Sequence, residues 1–182
     1  MEVYSVPSQK YRCVVVDPPW WEPGGGRIKR GSDRHYKILH TKDIKQVILN
    51  SPHWQHVGPD AHLWMWSTVN HLPDALTLMQ DLGFRYITHI VWVKIKNTFL
   101  QKGIGRYIMG SHELCLLGTR GKAMVPKPID RQPSAFFAER TEHSKKPDEA
   151  FMYFESISPG PRLEIFARKN TRPHWDAFGD EV

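Results

Sequence analysis

Apolar positions recur along this chain with two periods, and the switching between them predicts the elements. A β-branched run at 12–16, ending Val14-Val15-Val16, suits a strand buried on both faces. Thr41 predicts the N-cap of a helix reaching Asn50, with Ile44, Val47 and Ile48 on one face. His62 to Ser67 read as a second strand. Asn70 is expected to cap a helix carrying Leu72, Ala75, Leu76, Met79 and Leu82 at helical spacing, with Gly83 as its stop. Strands follow from Tyr86 to Lys94 and from Glu113 to Leu117. Pro147 fits the first turn of a helix through Glu155, and Asp148 and Glu149 lie favourably near its positive end. Arg162 to Ala167 make the last strand.

Strands and helices alternate through residues 12–93, which predicts an α/β fold with a mainly parallel sheet flanked by helices. In such sheets ligands bind beyond the carboxyl ends of the strands. Asp17 falls at that edge, as do Ser67 and Arg168, which end other strands. Residues 95–112 and 119–146 fit no element; they hold Gly or Pro and scattered Lys and Arg. With residues 22–37 they are expected to form three basic loops around one pocket. No repeat or long linker divides the chain, so residues 1–182 are expected to form a single domain.

Charge sharpens this picture. Among 182 residues, 25 Lys and Arg stand against 19 acids, a formal net charge of +6, with a pI near 9.4. That excess is compatible with a polyanionic partner. Its distribution says more: Arg27, Lys29, Arg30, Arg34 and Lys37 follow Gly24-Gly25-Gly26, with only Asp33 among them. A basic loop beside the site fits phosphate contact by Arg30 and Arg34, an ordinary solvated loop being the alternative. No apolar run approaches the ~20 residues that cross a bilayer. The first ten residues lack the apolar core of a secretory signal, and Cys13 and Cys115 sit in apolar strand runs as reduced thiols. These features predict a cytoplasmic protein without membrane contact. His53 and His56 have no carboxylate or thiolate at metal-ligand spacing, nor has the His112, Cys115 pair, so no metal is expected.

Asp17-Pro18-Pro19-Trp20 is the stretch richest in chemistry. Prolines directly after a strand end its ladder, since they donate no backbone hydrogen bond and fix φ. The resulting turn presents a carboxylate and outward carbonyls beside a flat ring. Asp17 and the Pro18 carbonyl can each accept one N–H of a planar amine such as the exocyclic amine of adenine, drawing the nitrogen lone pair out of conjugation. Trp20 is expected to stack on the base, a contact worth roughly 1–3 kcal/mol. Asp-Pro-Pro also suits a plain turn; the strand before it and the aromatic after it weigh against that.

Amine methylation needs an activated methyl donor, and S-adenosylmethionine is the usual one. The segment Glu164-Ile165-Phe166-Ala167-Arg168-Lys169-Asn170 and the acids Asp180 and Glu181 offer groups for a carboxylate, a diol and an amine. Joined to Asp17-Pro18-Pro19-Trp20, to His143-Ser144-Lys145-Lys146-Pro147-Asp148-Glu149 and to Ser158-Pro159-Gly160, this segment resembles the adenine-N(6) methyltransferase family that contains the catalytic subunit of the eukaryotic mRNA methyltransferase and its bacterial and phage relatives. The resemblance runs from about Tyr11 to Glu181. It implies a Rossmann-like S-adenosylmethionine-dependent methyltransferase fold with the catalytic motif ahead of the main cofactor strand. It also implies that Asp17 binds the target amine beside the cofactor, and that Phe166, Arg168, Lys169, Asn170, Asp180 and Glu181 hold the cofactor. Glu113, Ser144 and Lys146 are implied near the target adenine, and Tyr36 in a gating loop. Lys169 stands where a Pro-His pair is common, and Asp180-Glu181 replace an Asn-Gln pair.

The expected reaction is in-line methyl transfer to the adenine amine of DNA, single- or double-stranded, with orientation and electrostatics as the protein's task. No segment resembles an added recognition domain, so weak sequence preference is expected. RNA adenine methylation uses the same pocket chemistry and remains open. So does a catalytically silent nucleic-acid-binding subunit, which an intact Asp17 argues against. A homodimer is compatible with the resemblance, since paired family members associate through an extended surface.

Overall fold

The computed structural model describes residues 10–20, 39–103, 105, 107–140, 145–167 and 172–179. Eight strands form one sheet in the order β4-β3-β5-β2-β1-β7-β8, with β6 added along β3. They are β1 (Tyr11–Val16), β2 (Val57–Ser67), β3 (Arg85–Lys96), β4 (Phe99–Leu100), β5 (His112–Arg120), β6 (Ala135–Glu139), β7 (Arg162–Ile165) and β8 (Trp175–Phe178). The helices are α1 (Thr41–Asn50), α2 (Leu72–Asp81) and α3 (Asp148–Ile157).

Strand directions split the sheet. β2-β1-β7-β8 run parallel, as does β6 along β3, whereas β5 is antiparallel to both β2 and β3, and β4 turns back on β3. The parallel half is the one the alternating pattern predicts. The other half is mixed because β3 and β5 join through a compact excursion (residues 97–111) instead of a crossover helix. The strands β4, β6 and β8 lie in segments whose apolar runs are too short or too polar to stand out.

Each face of the sheet carries its own core. Val14, Val16, Leu63 and Met65 pack on α1 and α2 through Ile44, Ile48, Ala75, Leu78 and Met79. Cys13, Val15, Trp64, Trp66, Ile90 and Trp92 pack on α3 through Ala150, Phe151 and Phe154. Full burial of each large apolar side chain contributes roughly 1.5–3 kcal/mol, which secures three ten-residue helices that would not persist alone.

Several boundaries move for identifiable reasons. His40 rather than Thr41 is the α1 N-cap, and the Thr41 hydroxyl reaches Asp74. Asn70 lies in a 3-10 turn (Val69–His71), so that His71 caps α2. Gly83 stops α2 as expected: its φ of 82° sets the left-handed residue that lets Phe84 N–H donate to the Met79 carbonyl. Pro147 is itself the α3 N-cap. β2 begins five residues early, but its register to β1 breaks between Val57 and His62, around Pro59, which has no N–H to give. β7 ends at Ile165 because Phe166 turns to φ 63°.

No described helix is long and apolar enough to cross a membrane. Cys13 and Cys115 are buried thiols, as their strand positions predict.

Candidate active site

β1 delivers Asp17 to the carboxyl edge of the sheet, where its N–H still donates to the Ile165 carbonyl of β7 at 3.4 Å. Beyond it the ladder stops at Pro18 and Pro19. The Trp20 N–H bends back to the Pro18 carbonyl (2.8 Å), and Leu39 N–H donates to the Pro19 carbonyl (3.1 Å). Pro18 therefore keeps one lone pair for a ligand rather than two.

Residues alternate faces along β1, so Asp17 follows Cys13 and Val15 onto the α3 side. There it meets a chain of charges. Lys146, just before α3, binds Asp17 Oδ1 at 2.8 Å and Glu113 Oε2 at 3.3 Å. The other Glu113 oxygen takes Lys94 at 2.5 Å. All four residues are mostly buried, yet Asp17 keeps 24 % of its side chain exposed. Beneath them lies an aromatic floor: Lys146 Nζ stands 5.2 Å over the Trp66 ring and Lys94 Nζ 5.0 Å over Trp92, the two indoles meeting edge to face.

The electrostatics follow from this packing. Burial alone would raise the Glu113 carboxyl, but Lys146 and Lys94 reverse that and hold it at about 2. Burial likewise opposes the Lys146 ammonium, and Asp17 and Glu113 overcome it, raising its pKa above the ordinary lysine value. Both groups stay charged across the neutral range. Glu164, one residue before the end of β7 on the same face, differs. Burial first, then the neighbouring Asp17, raises it to about 7, with Arg172 and Lys146 pulling the other way.

Asp17, Glu113 and Lys146 are thus brought together as expected, and Phe166 sits at the same sheet edge, packed on the α1/α2 core. Trp20 is a correction. It is 6 % exposed, its indole N–H donates to the Trp66 carbonyl at 3.1 Å, and His71 stacks on its ring at 5.5 Å. An indole needs a partner for its N–H, and the bridge from Trp20 to Leu39 carries the ring inward to find one. It braces the turn instead of offering an open platform to a base. The expectations for Arg30, Arg34, Tyr36, Ser144, Arg168, Lys169, Asn170, Asp180 and Glu181 lie outside the described residues.

Of the three expected basic loops, residues 22–37 lie outside the described residues, and residues 119–146 are not one loop at the site. β5 runs down the sheet, pairing Arg120 with Ala61 at the amino end, so residues 121–134 connect at the end opposite Asp17. β6 then returns upward beside β3, and beyond it Lys146 stands in the site. Lys94 was missed as a site residue, and Glu164 was named only within its segment, without a role of its own. Their signal was present in alternation, Lys94 two residues after Trp92 and Glu164 between Leu163 and Ile165, but which face each occupies depends on strand pairing.

Asp17 and Glu113 are balanced by Lys146 and Lys94, and Glu164, poised at about 7 with Arg172 nearby, gains its negative charge more readily when a cation lies beside it. That suits a cationic ligand such as a sulfonium, whose charge would relieve the crowding of Asp17 and Glu164.

A Rossmann-like α/β sheet flanked by helices, with an acid at the carboxyl end of β1, is the methyltransferase fold that the sequence led us to expect. The chain matches the family MT-A70 over residues 11–181, and it belongs to that family. It is 30% identical over 181 residues to an N(6)-adenosine-methyltransferase MT-A70-like protein of Arabidopsis thaliana, covering 94% of this chain and 24% of that one. It is 28% identical over 184 residues to the human N(6)-adenosine-methyltransferase catalytic subunit METTL3, covering 95% and 28%. It is also 26% identical over 199 residues to the type II methyltransferase M.MunI of a Mycoplasma species, covering 98% and 80%. The chain spans about a quarter of the length of the plant and human relatives.

Proposed function

We propose that this chain transfers a methyl group to the exocyclic amine of adenine in a nucleic acid, with S-adenosylmethionine as donor and DNA as the preferred substrate. The observation that carries the reading is the charge chain Asp17–Lys146–Glu113–Lys94 at the carboxyl end of β1. Asp17 accepts an N–H of the amine and turns its lone pair toward the reacting centre. A carboxylate offers about four acceptor sites, so the bond to Lys146 does not exhaust it. Lys146 fixes the rotamer of Asp17, and Glu113, ionised at neutral pH, anchors Lys146 from behind. These contacts are preorganised in a largely buried setting, where such groups act most strongly.

The donor, when bound, supplies an activated methyl group. Asp17 and Phe166, with Arg168, Lys169, Asn170, Asp180 and Glu181, are the residues we assign to holding it. The preference for DNA leans on the match to 80% of a type II methyltransferase. RNA is the second reading, favoured by the N(6)-adenosine-methyltransferases in the same comparison. We also propose weak sequence preference, which a methylation map showing one long motif would overturn.

Labelled donor incubated with matched adenine-containing DNA and RNA oligonucleotides, each single- and double-stranded, tests both readings. Label is expected in N6-methyladenine, greatest in DNA. Asp17→Ala is expected to lower the rate by about 10²–10³-fold; a variant that transfers at the parental rate removes Asp17 from the mechanism.

A further inference from the structure

Pro18 and Pro19 donate no backbone hydrogen bond, so the turn that carries Asp17 leans on the bonds from Trp20 and Leu39 N–H and on the Trp20 side chain. One short stretch of chain fixes that side chain at two points. Trp66, near the end of β2, gives its carbonyl to the indole N–H at 3.1 Å. His71, just beyond β2, lies flat on the ring, with 5.5 Å between centroids and 7° between planes.

His71 is itself fastened. Its N–H donates to the Thr68 carbonyl at 3.1 Å, and it is the N-cap residue of α2, whose Ala75, Leu78 and Met79 are buried in the core. Its Nδ1 lies 3.4 Å from Asp74 Oδ2, and only 14 % of the side chain is exposed. The other Asp74 oxygen accepts the Thr41 hydroxyl at 3.4 Å. Thr41 opens α1 two residues after Leu39, which bridges to Trp20. The contacts thus close a ring that runs from Trp20 through His71, Asp74, Thr41 and Leu39 back to the turn.

Methyl transfer tolerates little displacement: a misplacement of about 1 Å can cost about 10²-fold. We propose that His71 is a positioning residue for that step, holding the turn from Asp17 to Trp20 through the indole ring so that the carboxylate and the Pro18 carbonyl keep their spacing. It acts through Trp20 and not on the ligand. The inference rests on the function proposed above. It sets two supports against each other across the sheet: Lys146 fixes Asp17 from the α3 face, and His71 fixes the turn from the face that carries α1 and α2.

Steady-state methyl transfer to an adenine-containing oligonucleotide, with donor and oligonucleotide varied in turn, tests this beside urea denaturation of each variant. His71→Ala is expected to lower kcat about 10-fold, the cost of a small misplacement, and to leave both KM values nearly unchanged. His71→Phe should return kcat close to the parental value, because a flat ring still stacks on the indole. His71→Leu, which has bulk without a flat face, should stay as slow as His71→Ala. Rates are compared per folded molecule, so lost stability alone does not mimic the result. Where His71→Ala does not fold, the His71→Phe and His71→Leu pair carries the test. Equal kcat in that pair, high or low, removes the stack from the mechanism. A loss confined to KM overturns the proposal in favour of a ligand contact. Parental kcat in His71→Ala, with the parent protein active, overturns it and leaves the function standing. If the parent protein methylates no oligonucleotide, the proposed function falls, and the role of His71 with it.

Discussion

Cys13 and Asp17 occupy the same face of β1, roughly 13 Å apart along the strand, and each belongs to a buried polar cluster. Around Cys13 burial pushes both titratable groups of the cluster, Cys13 and His62, toward their neutral forms, although Arg162 and Glu155 stand close enough to bear on the thiol. Trp64 donates its indole N–H to Ser158 Oγ at 2.9 Å, and His62 Nδ1 lies 2.8 Å from the same hydroxyl. The His62 ring also meets the Met124 backbone, and its tautomer sets which of His62 and Ser158 donates. Burial lowers the pKa of His62 and pushes the Cys13 thiol up to about 12, against the pull of the Ser158 hydrogen bond. Around Asp17 the shifts run the other way, with Glu113 driven down and Lys146 up, both toward charge. One cluster satisfies donors with acceptors under helix α3. The other stores fixed charge at a ligand-binding edge, a costly arrangement that stability alone does not require.

Removing the central cation should break that contrast most severely. Lys146→Met leaves Asp17 and Glu113 facing each other across a largely buried gap. Breaking a buried pair in this way costs roughly 3 kcal/mol here, at the lower end of the usual range because some solvent reaches the group. Methyl transfer should fall by about 10²-fold, since Asp17 loses the partner that orients it. Denaturant titration and the transfer assay read the two effects separately. Transfer at the parental rate would mean that the cluster only shapes the fold.

How much of this was legible beforehand differs between the two halves of the sheet. β1, the buried faces of α1 and α2, and the acid at the strand end follow from local periodicity, which the chain carries in every window. Glu113 and Lys146 were recognised through resemblance, and the structure adds why they matter, by bridging them. Lys94 was legible only as a cation near a strand end. Its role depends on the register that pairs Trp92 with Glu113 and Val93 with His112, a long-range fact absent from any single segment. Trp20 shows the opposite failure. Its position was right and its direction wrong, because whether an aromatic after a turn points to solvent or to the core is decided by what lies beneath, here His71 and the Trp66 carbonyl. The short strands β6 and β8 were hidden for a related reason: five and four residues give alternation too little length to register.

The neutral cluster predicts a smaller and purely structural effect. Ser158→Ala removes the hydroxyl shared by His62 and Trp64 and leaves both buried nitrogens without that partner, a loss of about 2 kcal/mol. Because Ser158 lies well below the carboxyl edge, transfer per folded molecule should not change. A drop in rate comparable to that of Lys146→Met would erase the distinction between the clusters and make them one connected network.

Glu164 sits on the same face between the two clusters and titrates in the opposite sense to Glu113, which makes it the finest probe of the comparison. Its carboxyl binds a proton more tightly when folded, at about 7, than at its ordinary 4.5. The folded state therefore gains most below pH 4.5 and loses that advantage as pH rises through about 7. For Glu113 the stabilisation is present above 4.5 and is lost only as pH falls through about 2. Between pH 5 and 8, then, Glu164 alone of the two should tilt the stability curve downward. Its side chain is only half-buried, so solvent screening reduces the full shift to about 1 kcal/mol. Urea denaturation at pH 5, 6.5 and 8 should show this decline in the parent protein and a flatter profile in Glu164→Gln. Equal slopes would mean that neither burial nor Asp17 raises Glu164, and that the edge is less strongly poised for a cationic ligand than its geometry implies.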